Sequence, residues 1–236
     1  SDPVLDGITA VILDEVHERS VDSDLLLGML SEVRELRDDL LIIAMSATLD
    51  TERFAEILGA SADSIVQIPS ALHPLEISFA PFAEPRLDRR GVSRGYLDHL
   101  ARVAAEEQQR DGCDALVFVP GAREVDEVVR LLRARAKDQL RGSAELFEVL
   151  PLHGRISAKE QDKAVRGREQ SGPPRIVVST SLAESSLTVP GVRLVIDSGL
   201  SREVRRDQGR DMTGLVTVSA SRASAQQRAG RAARQG

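Results

Sequence analysis

Short apolar runs alternate with longer amphipathic stretches along this chain, and that alternation constrains its fold more than any other feature. Ile8–Leu13, Arg175–Thr180 and Arg193–Asp197 read as buried strands. Leu40–Met45, Ser64–Ile68, His73–Ala80, Ala115–Val119 and Phe147–Leu152 read as further strands. Between them, Asp24–Leu36, Ser93–Arg110 and Ala122–Arg135 repeat apolar residues at helical spacing. Strands that alternate with helices predict an α/β fold with parallel sheets. Pro69 and Pro74 interrupt the pattern, which then restarts, so two α/β units are expected. Three strands before the break are few for a sheet covered on both faces. That shortage, with a start at Ser1 close to a strand, predicts an internal piece of a longer protein.

Local signals refine this reading. Asp50 is placed to N-cap a helix that closes at Gly59, and Ser157-Ala158-Lys159-Glu160 has the spacing of a capping box. Residues 81–92 read as loop. Glu203–Arg206 and Leu215–Val218 flank Gly209 and Gly214 and suggest a hairpin, and residues 223–235 read as helical.

The first apolar run ends in Asp14-Glu15-Val16-His17. Two adjacent carboxylates at a strand's carboxyl end stand where open α/β sheets bind ligands. One can hold a magnesium ion, mostly through water, because that cation prefers carboxylate and phosphate oxygens. The other can orient or deprotonate a water that attacks a phosphate. An apolar run that ends in two acids is also what a strand entering a solvated turn looks like, so the pair takes its weight from two stretches farther along the chain. The run Leu40–Met45 ends in Ser46-Ala47-Thr48, and the chain closes with Gln227-Arg228-Ala229-Gly230-Arg231-Ala232-Ala233-Arg234.

Composition limits the partners. The 236 residues are 42% hydrophobic and 29% charged, as in a globular protein. No apolar stretch approaches the roughly 20 residues that span a bilayer, and no signal peptide opens the chain, so a cytoplasmic location is expected. Cys113 is the single cysteine, which excludes an internal disulfide. The net charge of −6 is unevenly spread: residues 1–80 carry 4 Arg+Lys against 16 Asp+Glu, whereas residues 201–236 carry 8 Arg against 3 acids. Aromatic residues make up 3%, with no Trp and one Tyr, so stacking platforms for bases are scarce and any grip on nucleic acid falls on its backbone.

Taken in order, Asp14–Ser20, Ser46–Thr48 and Gln227–Arg234 resemble motifs of the superfamily 2 helicases of the DEAH/RHA type. The stretches Leu116–Val125, Pro151–Arg155 and Ser179–Val192 are similar to three further segments of that family. The resemblance runs over essentially the whole chain. It implies two RecA-like parallel-sheet domains, residues 1–72 being the C-terminal part of the first, truncated on its N-terminal side, and residues 73–236 the second. It implies NTP hydrolysis, with ATP and Mg2+ as cofactors, coupled to movement along single-stranded or partly duplex RNA, DNA not being excluded. By the same resemblance Asp14 holds magnesium, Glu15 activates water and His17 couples the nucleotide site to the facing domain. Ser46 and Thr48 link hydrolysis to strand separation. Gln227 positions the water or γ-phosphate, Arg231 and Arg234 are arginine fingers, and Arg228 touches phosphate or an acid across the cleft. Thr180 and Ser181 contact the nucleic-acid backbone, with His153 and Arg155 as weaker candidates, and the hairpin matches the family's strand-separating wedge.

Two departures matter. The family has glycine where this chain has Ala233, which is harmless in a right-handed turn but would displace Arg234 if positive φ were required. No GxxxxGK[ST] loop occurs, and Lys137, Lys159 and Lys163, the only lysines, follow no glycine. The chain on its own is therefore expected to be a poor hydrolase, with upstream and downstream parts of its own protein as partners. Two other functions stay open: a non-catalytic nucleic-acid-binding scaffold, and a DNA-directed translocase.

Overall fold

The computed structural model describes residues 4–16, 21–46, 51–68, 73–139, 147–169, 171–184, 187–207 and 212–234. It separates into two compact units, Ser1–Ser70 and Ala71–Gly236.

In the first unit, β1 (Ala10–Leu13) pairs in parallel with β2 (Leu41–Ala44), and α1 (Val21–Leu36) forms the crossover between them. Helix α2 (Thr51–Ile57) comes next, and the chain turns at Gly59 with φ 57°. Residue 50, the expected cap, lies outside the described residues. Leu27 of α1, Phe54 of α2 and Leu58 pack with Val16 against Leu13, Ile42 and Ala44. The alternate strand positions Ile12, Leu41 and Ile43 are exposed. The expectation that Ile8–Leu13 is buried on both faces is thus corrected. Both helices contribute to a core on one face of the pair only, so period-two alternation leaves every second side chain outside.

The second unit is a four-stranded parallel sheet in the order β6-β7-β5-β8: Glu148–Leu152, Arg175–Ser179, Asp114–Phe118 and Val192–Asp197. Before it come a two-residue ladder, β3 (Leu87–Asp88) with β4 (Gly91–Val92), and α3 (Arg94–Asp111). Ser93 caps α3 by accepting from the Tyr96 amide, and Gly112 ends it in the left-handed region. Helices α4 (Ala122–Gln139) and α5 (Ala158–Val165) connect the strands, and Ser157 and Glu160 form the reciprocal capping box expected of them.

Ala115, Val117 and Val119 face a core shared with α3 and α4. Leu116 and Phe118 face the other, with Leu150, Leu152, Ala164 and Val177. All five residues of β5 are buried, which is why its sequence is a continuous apolar run rather than an alternating one. The hairpin comes next as β9 (Leu200–Asp207) and β10 (Met212–Ser219), antiparallel, and α6 (Arg222–Ala229) ends the fold.

Two expected strands are absent. Ala62–Ser64 is a 3-10 turn, and residues 65–68 and 73–80 adopt no strand conformation. Val66 and Ile68 are 82% and 84% exposed. Apolar composition alone makes no strand without a ladder partner. The second segment takes other partners: the His73 amide donates to Ala233 O at 3.1 Å, and Ala80 O lies 3.2 Å from His99 Nε2.

Candidate functional site

In the first unit the carboxyl edge of the β1–β2 pair gathers Asp14, Glu15 and Ser46. The edge is fixed by main-chain bonds: Met45 N donates to Leu13 O at 2.8 Å, and Val16 N donates to Met45 O at 3.1 Å. Val16 is buried and anchors the turn, while Asp14 is exposed and Glu15 half-buried. Glu15 has φ 54°, a left-handed backbone that costs a side chain other than glycine's about 1–2 kcal/mol. Its amide donates to Asp14 Oδ1 at 2.8 Å. Two carboxylates and a hydroxyl form an all-oxygen donor set, which suits Mg2+ held partly through water. Among the described residues no group of three or more His, Cys, Asp or Glu could hold a metal alone. His17 and Thr48 lie outside the described residues.

In the second unit, the candidate residues of the sheet loops lie just past the carboxyl ends of the parallel strands, and α6 packs beside β8. After β7, Thr180 caps a 3-10 turn over Ser181–Ala183, its hydroxyl accepting from Leu182 N at 3.5 Å. Ser181 is exposed. Ser179 Oγ donates to Leu152 O at 3.0 Å and Val119 N donates to Ser179 O at 2.9 Å, which ties this loop to its neighbours. After β6, His153 is only 6% exposed. Its Nδ1 accepts the Arg155 amide at 3.2 Å and its Nε2 stands 3.5 Å from Asp126 Oδ1. His153 therefore faces inward and shapes its loop, while Arg155 is exposed.

Helix α6 delivers the C-terminal arginines. Arg228 is 1% exposed. Its Nε donates to Glu184 Oε2 at 2.8 Å, and its Nη1 to Asp197 Oδ1 at 2.9 Å and Leu200 O at 3.1 Å. Its Cζ lies 5.2 Å from the centre of the Phe118 ring. The acids expected to face Arg228 thus belong to its own unit. Arg231 is 6% exposed and donates through Nε to Glu184 O at 3.0 Å, through Nη2 to the same oxygen, and through Nη1 to Leu187 O at 3.3 Å. Gln227 is half-buried and Arg234 exposed. Ala233 lies in a turn that continues α6, its amide donating to Gly230 O at 3.2 Å. It is not among the residues with positive φ, so the missing glycine strains nothing there.

Glu184 and Asp197 were not singled out by sequence reasoning. Asp197 closes a strand as Asp14 does, which is the signal that could have found it. The hairpin is seated on this edge. Arg202 meets Glu124 at 3.3 Å above Gly121, where a Cβ would stand 2.5 Å from Arg202 Cζ. Tyr96 Oη donates to Ser198 O at 2.6 Å, and burial pushes its phenol above the usual range, so it stays a neutral donor.

These features define a class. The helicase conserved C-terminal domain matches residues 96–236, more than half of the chain, and the chain belongs to that family. It is 38% identical over 235 residues to the ATP-dependent RNA helicase HrpB of Escherichia coli, covering 99% of this chain and 27% of the relative. It is 34% identical to a probable ATP-dependent RNA helicase, the DHX35 homolog of Caenorhabditis elegans, of which it spans 32%, and 36% identical to E. coli HrpA, of which it spans 17%. The crystal structure of the E. coli DEAH/RHA helicase HrpB superimposes with a TM-score of 0.82 at 38% identity, covering 99% of this chain and 28% of that one. The chain therefore spans about a third or less of each of these relatives. Among the described residues no helix is long and apolar enough to cross a membrane.

Proposed function

We propose that this chain is part of the motor of an ATP-dependent RNA helicase, an enzyme that couples NTP hydrolysis to translocation along or unwinding of nucleic acid in the cytoplasm. One observation carries the reading: acids, hydroxyls and loops of both units lie past the carboxyl ends of parallel strands, the edge on which α/β sheets bind ligands.

Asp14 holds Mg2+ through water, and the ion, when bound, neutralises charge on the β- and γ-phosphates. Glu15 takes a proton from a water whose oxygen bonds to the γ-phosphorus as the bond to the β–γ bridging oxygen breaks. Ser46 and Thr48 link that step to strand separation, and His17 to the rest of the site. Gln227 orients the water, and Arg231 and Arg234 offset charge on the transferring phosphoryl oxygens. Arg228 positions rather than reacts, since both its acids are already in place. Thr180, Ser181 and Arg155 meet backbone phosphates, with His153 shaping the loop beneath. Val204 and Leu215, opposed on the hairpin and exposed, suit a wedge against unstacked bases. The phosphate loop and the accessory domains belong to parts of the protein outside residues 1–236.

The test is ATP-dependent unwinding of matched RNA and DNA duplexes by the full coding sequence that contains this chain. RNA unwinding that Glu15→Gln abolishes supports the reading. Unwinding of DNA alone shifts it to a DNA translocase, and tight binding without any hydrolysis shifts it to a scaffold.

A further inference from the structure

A buried guanidinium needs one carboxylate to balance its charge, and Arg228 has two. Asp197 belongs to the sheet, at the end of β8, and also accepts the Gly199 amide at 2.9 Å. Glu184 belongs to a loop. It closes the 3-10 turn that Thr180 opens, and its amide donates back to Ser181 O at 2.8 Å. The second acid must therefore do something that the first does not.

Glu184 is gripped from two positions of the same C-terminal segment. Its side chain accepts from Arg228 Nε at 2.8 Å, and its main-chain oxygen accepts from Arg231 Nε at 3.0 Å and from Arg231 Nη2. The turn Ser181–Ala183 therefore cannot shift without moving Glu184, and Glu184 cannot shift without releasing or dragging Arg231. Arg228, fixed below by Asp197, Leu200 O and Phe118, is the immobile end of this linkage.

We infer that Glu184 is a positioning residue that couples a nucleic-acid backbone seated on Thr180 and Ser181 to the orientation of Arg231, so that hydrolysis answers to the bound strand. The inference rests on the helicase reading above. Coupling between two sites is a free energy separate from binding at either one, which makes it measurable apart from stability.

The experiment is ATP hydrolysis by the full coding sequence containing this chain, titrated with single-stranded RNA, for wild type, Glu184→Ala and Glu184→Gln. Both variants leave Arg228 balanced by Asp197, and the isosteric Glu184→Gln decides if Glu184→Ala does not fold. RNA affinity, read by fluorescence anisotropy, and hydrolysis without RNA stay near wild type, while the RNA-stimulated increment falls roughly tenfold, within the usual range of coupling factors. Wild-type stimulation in both variants overturns the inference alone. So does a parallel fall in affinity, basal rate and stimulation, which is the mark of a purely structural residue. A wild-type protein that RNA never stimulates overturns the helicase reading and this inference together.

Discussion

Two buried arginines sit at opposite ends of the same parallel sheet. At the amino edge, Arg175 opens β7, is 2% exposed and pairs with Asp114 at 2.8 Å. Its own amide donates to Asp114 Oδ1 at 3.0 Å, and Pro190 O and Ala164 O take its remaining hydrogens. At the carboxyl edge, Arg228 has a similar set of partners plus a second acid. The lower pair joins β5, β7 and the approach to β8, all of them parts of the sheet. The upper cluster joins the sheet to a loop and to the arginine segment. The same ion-pair chemistry holds the fold together below and ties moving parts together above, and the surplus carboxylate marks the difference.

The largest effect comes from breaking the lower pair. Asp114→Ala leaves a guanidinium buried beside no carboxylate and should destabilise the second unit by roughly 3–5 kcal/mol. Tyr96 is the only tyrosine of a chain without tryptophan, so urea unfolding followed by its fluorescence reads this unit alone. Glu184→Ala, measured the same way, should cost less, about 1–2 kcal/mol, because Arg228 keeps Asp197. Equal losses would erase the contrast between the two edges.

Gly191 sharpens the lower side. It has φ 81°, and a Cβ there would lie 3.4 Å from Asp114 Oδ2. Gly191→Ala should cost about 1–2 kcal/mol in the same unfolding assay. Glu15 sharpens the upper side, where a reactive group holds a conformation that glycine adopts more easily. Glu15→Gly should raise local stability of the first unit by about 1 kcal/mol, seen as slower hydrogen exchange at Val16 and Met45 amides.

The smallest effect concerns α5. The Ser157 hydroxyl and amide bond to the Glu160 carboxylate and hold its pKa below the usual glutamate value. A depressed folded pKa means that the cap contributes fully above the ordinary glutamate range. The contribution fades as pH falls through the lowered value. Amide protection at the start of α5 should therefore drop in acid, and Ser157→Ala should abolish that dependence.

The sequence made the sheet of the second unit legible because Ala115–Val119 and Arg175–Ser179 are covered on both faces, and double burial writes a continuous apolar run. Residues 64–68 and 73–80 misled for the converse reason: their apolar side chains found no ladder, and residues 65–80 include Pro69 and Pro74. The acids after β1, the serine after β2 and the arginines of α6 were legible as local patterns. The Glu184–Arg228–Asp197 cluster was not, since its members lie 44 and 31 positions from Arg228 and meet only when β7, β8 and α6 assemble. The inward turn of His153 was hidden likewise, because Asp126 comes from a different helix.

The motor assignment is tested most directly by ATP hydrolysis in the full coding sequence that contains this chain, with and without single-stranded RNA, beside its Glu15→Gln variant. The expected result is a rate that RNA raises and that Glu15→Gln lowers by about two orders of magnitude or more, the usual worth of a positioned general base. Hydrolysis that persists at the wild-type rate in Glu15→Gln would contradict the assignment.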